Sequence, residues 1–229
     1  MALRRATKIV ATLGPASSDP DLLEQMIRAG VNVVRLNFSH GTAQDHINRA
    51  QLVREAAQRA GREVAIMADL QGPKIRVGKF ADGKVMLKAG AKFVLDATRV
   101  ELGDEDEVGL DYKSLPREVK AGDTLLLNDG LIVIHVDAVR GEAVHTTVKI
   151  GGELSNNKGI NKLGGGLTAP ALTAKDMDDI RTAMGFKADY VAVSFPKNAT
   201  DMEMARQLCS VASIDGNHRP GLIAKIERA

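Results

Sequence analysis

Three observations in the 229-residue chain predict an α/β fold with an inserted β-rich segment. Residues 7–71 alternate apolar, β-branched runs with amphipathic runs. The same alternation resumes at Thr173. Between them, Ile75–Ile150 shows no long helical period.

The elements follow in order. Thr7–Gly14 (TKIVATLG) is apolar and β-branched, so a strand. Asp19–Gly30 carries helix punctuation: Asp19 as N-cap, Pro20 at the first position, Gly30 at the stop, and an apolar stripe of Leu23, Met26 and Ile27. Asn32–Ser39 (NVVRLNFS) is a second strand. Ala43–Ala60 is a second helix, with Ile47, Ala50, Val53, Ala57 and Ala60 at helical spacing and Gly61 closing it. Glu63–Gln71 (EVAIMADLQ) is a third strand. Strand–helix alternation with short loops implies parallel strands and right-handed crossovers. Beyond Gly72, the short runs KVMLK, KFVLDA, TLLLN, LIVIHV and AVHTTVKI alternate with turn signals at Asp82-Gly83, Gly122-Asp123, Asn128-Asp129-Gly130 and Arg140-Gly141. Ser155–Gly166 (SNNKGINKLGGG) reads as a polar, Gly-rich return. A helix at Thr173–Gly185, a strand at Asp189–Phe195, a helix at Asn198–Ile214 and a strand at Gly221–Glu227 complete the pattern.

Five α/β strands could form a doubly wound layer. Polar and charged residues at the C-terminal tips of all five instead favour a (β/α)8 (TIM) barrel, whose active sites lie on that rim. About five of its eight βα units are present, with an all-β domain inserted. The domain boundaries predicted are 1–71 and 169–229 for the barrel domain and 72–168 for the insert.

Composition narrows the function. Hydrophobic residues are 44%, charged residues 26% and the formal charge is +2, which argues against nucleic-acid binding by bulk charge. Aromatics are 3% with no Trp, too few for base stacking. No apolar run approaches the ~18–20 residues of a membrane span, and the basic start MALRRATKIV has no apolar signal core behind it. The single cysteine, Cys209, forms no internal disulfide and reads as a small buried hydrophobe. A cytoplasmic protein fits. The five histidines, His40, His46, His135, His145 and His218, lack metal-ligand spacing.

Chemistry concentrates at the strand tips. Alternation sets Arg35, Asn37 and Ser39 on one side of the second strand and Leu36 and Phe38 on the other. An Arg in a buried strand needs an anionic partner, whereas Ser39 also suits a helix cap. The third strand ends Asp69-Leu70-Gln71-Gly72-Pro73-Lys74-Ile75-Arg76, which is either a hinge with a surface ion pair or, with Arg35, a rim bearing three positive charges for a phosphorylated or carboxylated small molecule. Lys225 and Glu227 share a side of the last strand. They form either a plain ion pair or a cationic catalyst beside a divalent-ion ligand. Lys158 either reaches a phosphate or belongs to a flexible linker; its loop is not a Walker A sequence.

The stretches TKIVATLGP, NVVRLNFSHG, DLQGPKIRVG, LLLNDG, NNKGIN, AVSF and AKIER, running from Lys8 to Arg228, resemble pyruvate kinase. That resemblance implies a barrel interrupted after its third strand by a β-rich lid, and phosphoryl transfer from phosphoenolpyruvate to ADP giving pyruvate and ATP. It implies that Arg35 contacts the substrate phosphoryl group, Lys225 stabilises that group in flight and Glu227 holds Mg²⁺ (or Mn²⁺). Arg76, Lys158, Asp129 and His40 would serve the nucleotide, Asp129 through its metal. A monovalent-cation site would comprise Asn37, Ser39, Asp69 and the carbonyl of Leu70. The sequence reads DLQGPKIR where potassium-dependent members read DTKGPEIR, so Lys74 replaces a glutamate and its ammonium would make K⁺ unnecessary. The family's second metal carboxylate, in a GDLG motif, is absent from these residues, so negligible turnover is expected of them alone. The full-length protein is expected to be a homotetramer. Competing readings are a metal-dependent keto-acid lyase or aldolase barrel, and a non-catalytic fragment binding phosphorylated ligands.

Overall fold

The computed structural model describes residues 6–73, 75–213 and 216–227. The stretch ending at Pro73 packs with Pro170–Glu227 as one unit, and the stretch between them, up to Ala169, packs as a second.

The first stretch runs β1 (Val10–Thr12), a single 3-10 turn (Pro15–Ser17), α1 (Pro20–Ala29), β2 (Val33–Asn37), α2 (Ala43–Ala60) and β3 (Ala65–Asp69). Helix α1 starts where Asp19 Oδ1 accepts the N–H groups of Asp21 and Leu22, at 3.1 and 2.8 Å. It buries Leu23 and Ile27. Helix α2 opens on a reciprocal capping box between Thr42 and Asp45 and closes at Gly61, whose φ of 64° suits the left-handed cap.

Helix α2 differs from expectation in its inward face. Ile47 is 38% exposed, while His46 is 1% exposed. The His46 ring stacks on Phe38, with centroids 3.9 Å and planes 16° apart. Its Nε2 lies 3.0 Å from the His40 carbonyl oxygen. A polar ring fills an inward position once one nitrogen meets a carbonyl, and hydropathy spacing does not register this. Nδ1 is buried without a hydrogen-bond partner, so the neutral ring with its proton on Nε2 is the form that fits. Burial accordingly holds the imidazole below its ordinary pKa.

The second stretch carries β4 (Lys84–Leu87), β5 (Lys92–Asp96), β6 (Glu107–Gly109), a one-turn helix α3 (Leu115–Glu118), β7 (Thr124–Leu127), β8 (Ile132–Arg140), β9 (Ala143–Ile150), β10 (Gly152–Ser155) and β11 (Ile160–Lys162). Six strands form one sheet in the order β11-β7-β8-β9-β5-β6, and β10 pairs with β4. Phe93, Leu95, Leu125, Leu127, Ile132 and Ile134 lie at its core. The segment expected as a polar return contains β11, which pairs antiparallel with β7. Ile160, 1% exposed, is its one buried apolar side chain. A three-residue strand with one apolar side chain has no period to detect.

The chain re-enters the first unit through α4 (Ala174–Gly185), β12 (Tyr190–Ser194), α5 (Ala199–Ala212) and β13 (Gly221–Lys225). The five strands of this unit are all parallel, in the order β1-β2-β3-β12-β13. Ile66 and Ala68 of β3 pack with α1 and α2, while Val191, Val193, Ile180 and Ala205 pack with Cys209 in a second cluster. Burial pushes the Cys209 thiol up to about 11.

Asp176, fully buried, ties the two ends of the excursion together. Its Oδ2 accepts the N–H and hydroxyl of Thr173 at 2.8 and 2.7 Å, and its Oδ1 accepts the Gly72 N–H at 3.0 Å. Gly72 has φ 67°. A Cβ there would lie 2.8 Å from Ser194 Cβ and 3.2 Å from both the Ser194 carbonyl and Phe195 Cδ2.

Two tests follow from this packing. Gly72→Ala meets both a left-handed backbone and a filled wall, so chemical denaturation should show a loss of about 2–4 kcal/mol; a loss below about 0.5 kcal/mol would contradict the packing. For His46, the unfolded chain binds more protons than the folded one as pH falls below the ordinary histidine value of about 6.5. Stability should therefore decline with falling pH through that value, and His46→Gln should flatten the dependence of the urea midpoint between about pH 7.5 and 5.5. Equal slopes in the two proteins would refute the assignment.

Candidate active site

Strand alternation and register build the site. On β2, Leu36 and Phe38 are each 1% exposed, facing the helices, so Arg35 and Asn37 take the opposite side. Asn37 is the register partner of Asp69 on β3, which in turn pairs with Ala192 on β12. Ser194, at the end of β12, is the partner of Lys225 on β13. Parallel pairing thus places the C-terminal ends of four strands side by side.

The anionic partner that Arg35 requires is Asp69. Arg35 Nε donates to Asp69 Oδ2 at 2.5 Å, and its NH1 donates to Thr12 Oγ1 on β1 at 3.1 Å. The other carboxylate oxygen, Oδ1, lies 3.1 Å from Lys225 Nζ. Its angle falls outside hydrogen-bonding geometry, so this contact is an ion pair only. The Lys225 ammonium also lies 3.2 Å from Glu227 Oε1 and donates to Ser194 Oγ at 2.9 Å. The Asp69 side chain is 2% exposed, while those of Arg35 and Lys225 are each 28% exposed. Two partly open cations therefore flank one buried carboxylate, an arrangement able to receive an oxyanion.

Glu227 is exposed and offers one carboxylate beside this cluster. Among the described residues no group of three or more His, Cys, Asp and Glu gathers to hold a metal ion. Mg²⁺ commonly takes one or two carboxylates and completes its shell with ligand oxygens. Glu227 fits that role only jointly with a bound, oxygen-rich substrate. Three of the four groups expected to hold a monovalent cation have internal partners: Asn37 Oδ1 accepts the N–H of Ser39, the fourth, at 3.0 Å, the Leu70 carbonyl accepts from Ser194 Oγ at 2.6 Å, and Asp69 faces Arg35 and Lys225. Lys74, the expected substitute for that cation, lies outside the described residues. The same holds for Ile214, where the last helix was expected to end, and for Arg228.

His40 is exposed; its N–H donates to the Asn37 carbonyl at 3.2 Å, and its own carbonyl meets His46. Arg76, Lys158 and Asp129 belong to the second unit. There Arg76 forms an antiparallel bridge with Gly159, and the Lys158 carbonyl accepts the Val77 N–H at 2.9 Å. Asn128, beside Asp129, donates its N–H to the Gly159 carbonyl at 3.1 Å. Asn128, Asp129 and Gly130 all have positive φ, at 49°, 57° and 86°. Three segments distant in sequence therefore meet at Gly159, bringing two cationic residues near an exposed carboxylate.

Sequence reasoning did not single out Ser194, Thr12 or Asp176. Ser194 carried a usable signal, as the one polar residue ending the apolar strand Tyr190–Ser194, 1% exposed. Thr12 and Asp176 sit where Thr and Asp are common for local reasons, so neither carries a signal of its own.

Comparison with known proteins accords with this geometry. Residues 4–229 match the family model described as pyruvate kinase, barrel domain. The chain is 53% identical to a pyruvate kinase of Haemophilus influenzae and 55% identical to pyruvate kinase II of Salmonella typhimurium, in each case over 98% of this chain and 46% of the relative. A pyruvate kinase of Mycobacterium tuberculosis is 41% identical over 99% of this chain and 47% of its own length. The chain spans about half the length of these curated relatives. With its model matched over nearly every residue, the chain belongs to the pyruvate kinase family.

Proposed function

We propose that the protein carrying this sequence transfers a phosphoryl group from phosphoenolpyruvate to ADP, giving pyruvate and ATP. The observation that carries the reading is the cluster of Arg35, Asp69, Lys225 and Glu227 at adjacent strand ends in a chain of this family. The proposed framework is a (β/α)8 barrel with residues 72–168 inserted as a lid.

The substrate phosphoryl group carries its charge on oxygens, and catalysis of its transfer is mainly positioning and electrostatic stabilisation. Arg35, fixed by Asp69 and Thr12, orients that group. The Lys225 ammonium stands where charge spreads over it in flight. A divalent ion, Mg²⁺ or Mn²⁺, held by Glu227 and substrate oxygens, would supply further charge neutralisation. Arg76 and Lys158 would bind nucleotide phosphates, Asp129 would act through the nucleotide's metal, and His40 would also serve the nucleotide. The bond from phosphorus to the enol oxygen breaks and one to the terminal ADP oxygen forms; the released enolate takes up a proton at carbon to become pyruvate.

Glu227 supplies a single carboxylate, so the 229 residues alone are expected to release pyruvate at a negligible rate; a rate comparable with that of the whole protein would refute this. The ammonium of Lys74 is proposed to make K⁺ unnecessary.

Three measurements test the reading in the whole protein. Pyruvate formation should require both ADP and a divalent ion, and a chelator should abolish it. Lys225→Met should lower kcat by about 10²–10³-fold, as loss of one charge-stabilising donor does elsewhere; a change under about threefold would remove Lys225 from the reaction. In tetramethylammonium buffer, added KCl should raise the rate less than about twofold, whereas strong activation would refute the role given to Lys74.

A further inference from the structure

We propose that Ser194 is a positioning residue for the Lys225 ammonium, fixing it independently of substrate and metal. The inference rests on the proposed function for its catalytic consequence, but its structural part stands alone. A lysine side chain is flexible, and its ammonium has three protons to place. Here it faces three oxygens: Ser194 Oγ at 2.9 Å, Asp69 Oδ1 at 3.1 Å and Glu227 Oε1 at 3.2 Å.

The three oxygens are not equivalent. Asp69 is shared with Arg35, and Glu227 is exposed and assigned above to a divalent ion. Ser194 alone is neutral, 1% exposed and committed in direction. Its hydroxyl proton goes to the Leu70 carbonyl at 2.6 Å, which leaves a lone pair for Lys225. A neutral acceptor holds the ammonium without cancelling its charge and without competing for a metal.

The scaffold fixes Ser194 in turn. Gly72 abuts it so closely that a Cβ at Gly72 would lie 2.8 Å from Ser194 Cβ. The Gly72 N–H is anchored by Asp176 Oδ1 at 3.0 Å. Immediately after Ser194 the chain turns through Phe195, whose φ of 57° is unusual for a bulky residue. Ser194 therefore sits at the end of its strand between a close-packed elbow and a constrained turn.

Ser194→Ala deletes one oxygen and adds no volume. In the isolated chain, labelling of Lys225 by trinitrobenzenesulfonate, read by peptide mass spectrometry against the exposed lysines, should accelerate three- to tenfold, with little change in Tm. In the whole protein, kcat should fall ten- to a hundredfold while KM for phosphoenolpyruvate changes less than threefold. A merely structural role would lower Tm and leave that kcat-against-KM split unmoved. Unchanged labelling overturns the proposal whatever the rate does, and so does faster labelling with an unchanged kcat. If the unmutated whole protein makes no pyruvate, the kinase reading fails, and accelerated labelling in the variant still upholds the positioning of Lys225 by Ser194.

Discussion

A buried carboxylate must be paired, and the Asp69 side chain at the end of β3 is 2% exposed. It meets that requirement with cations from the strands β2 and β13, Arg35 and Lys225. Without Asp69, two positive side chains would face each other across the rim with no anion between them. With it, their heads are held in place, each still 28% open to solvent. Removing one partner of such a buried pair generally costs about 3–5 kcal/mol, far more than a surface ion pair is worth. The geometry that readies the site for an oxyanion is therefore also part of what fixes the strand ends.

The backbone supports this arrangement by similar means in both units. In the first, side-chain carboxylates secure helix N-termini: Asp19 caps α1, Asp45 completes the box at α2, and Asp176 completes the box with Thr173 at α4 while holding Gly72. In the second, the carbonyl and backbone of Gly159 gather the Arg76 strand and the Asn128–Gly130 turn. Each unit thus presents its charged side chains from backbone that is already hydrogen-bonded, which limits the reorganisation a ligand must induce.

The α/β alternation was legible because its signals are redundant. Helix α2 spans Ala43–Ala60 as its spacing and Gly61 indicate, and β9 spans Ala143–Ile150 as its alternation indicates. Short pieces escaped: β6 and β11 have three residues each, too few for a period. His46 escaped for a different reason, because a stacked, hydrogen-bonded ring behaves as core while its type counts as polar. At the site, alternation along β2 separated Arg35 from Leu36, and the KIE triplet put Lys225 beside Glu227. Spacing along one strand does not reveal a partner on another. That Asp69 sits between Arg35 and Lys225, and that Ser194 holds Lys225, depends on register between strands far apart in the chain.

That separation also shapes how the chain reaches its native state. The Ser194 hydroxyl meets the Leu70 carbonyl across 124 residues, so β3 and β12 become neighbours only after a long detour is closed. The entropic penalty of closure grows slowly with length, yet contacts of such long range slow folding. A β-rich segment with its own core can collapse first and shorten the effective loop. Until then, the edge of β3 stands unzipped on the ribosome-born polypeptide, the backbone of Met67–Asp69 awaiting a strand synthesised much later.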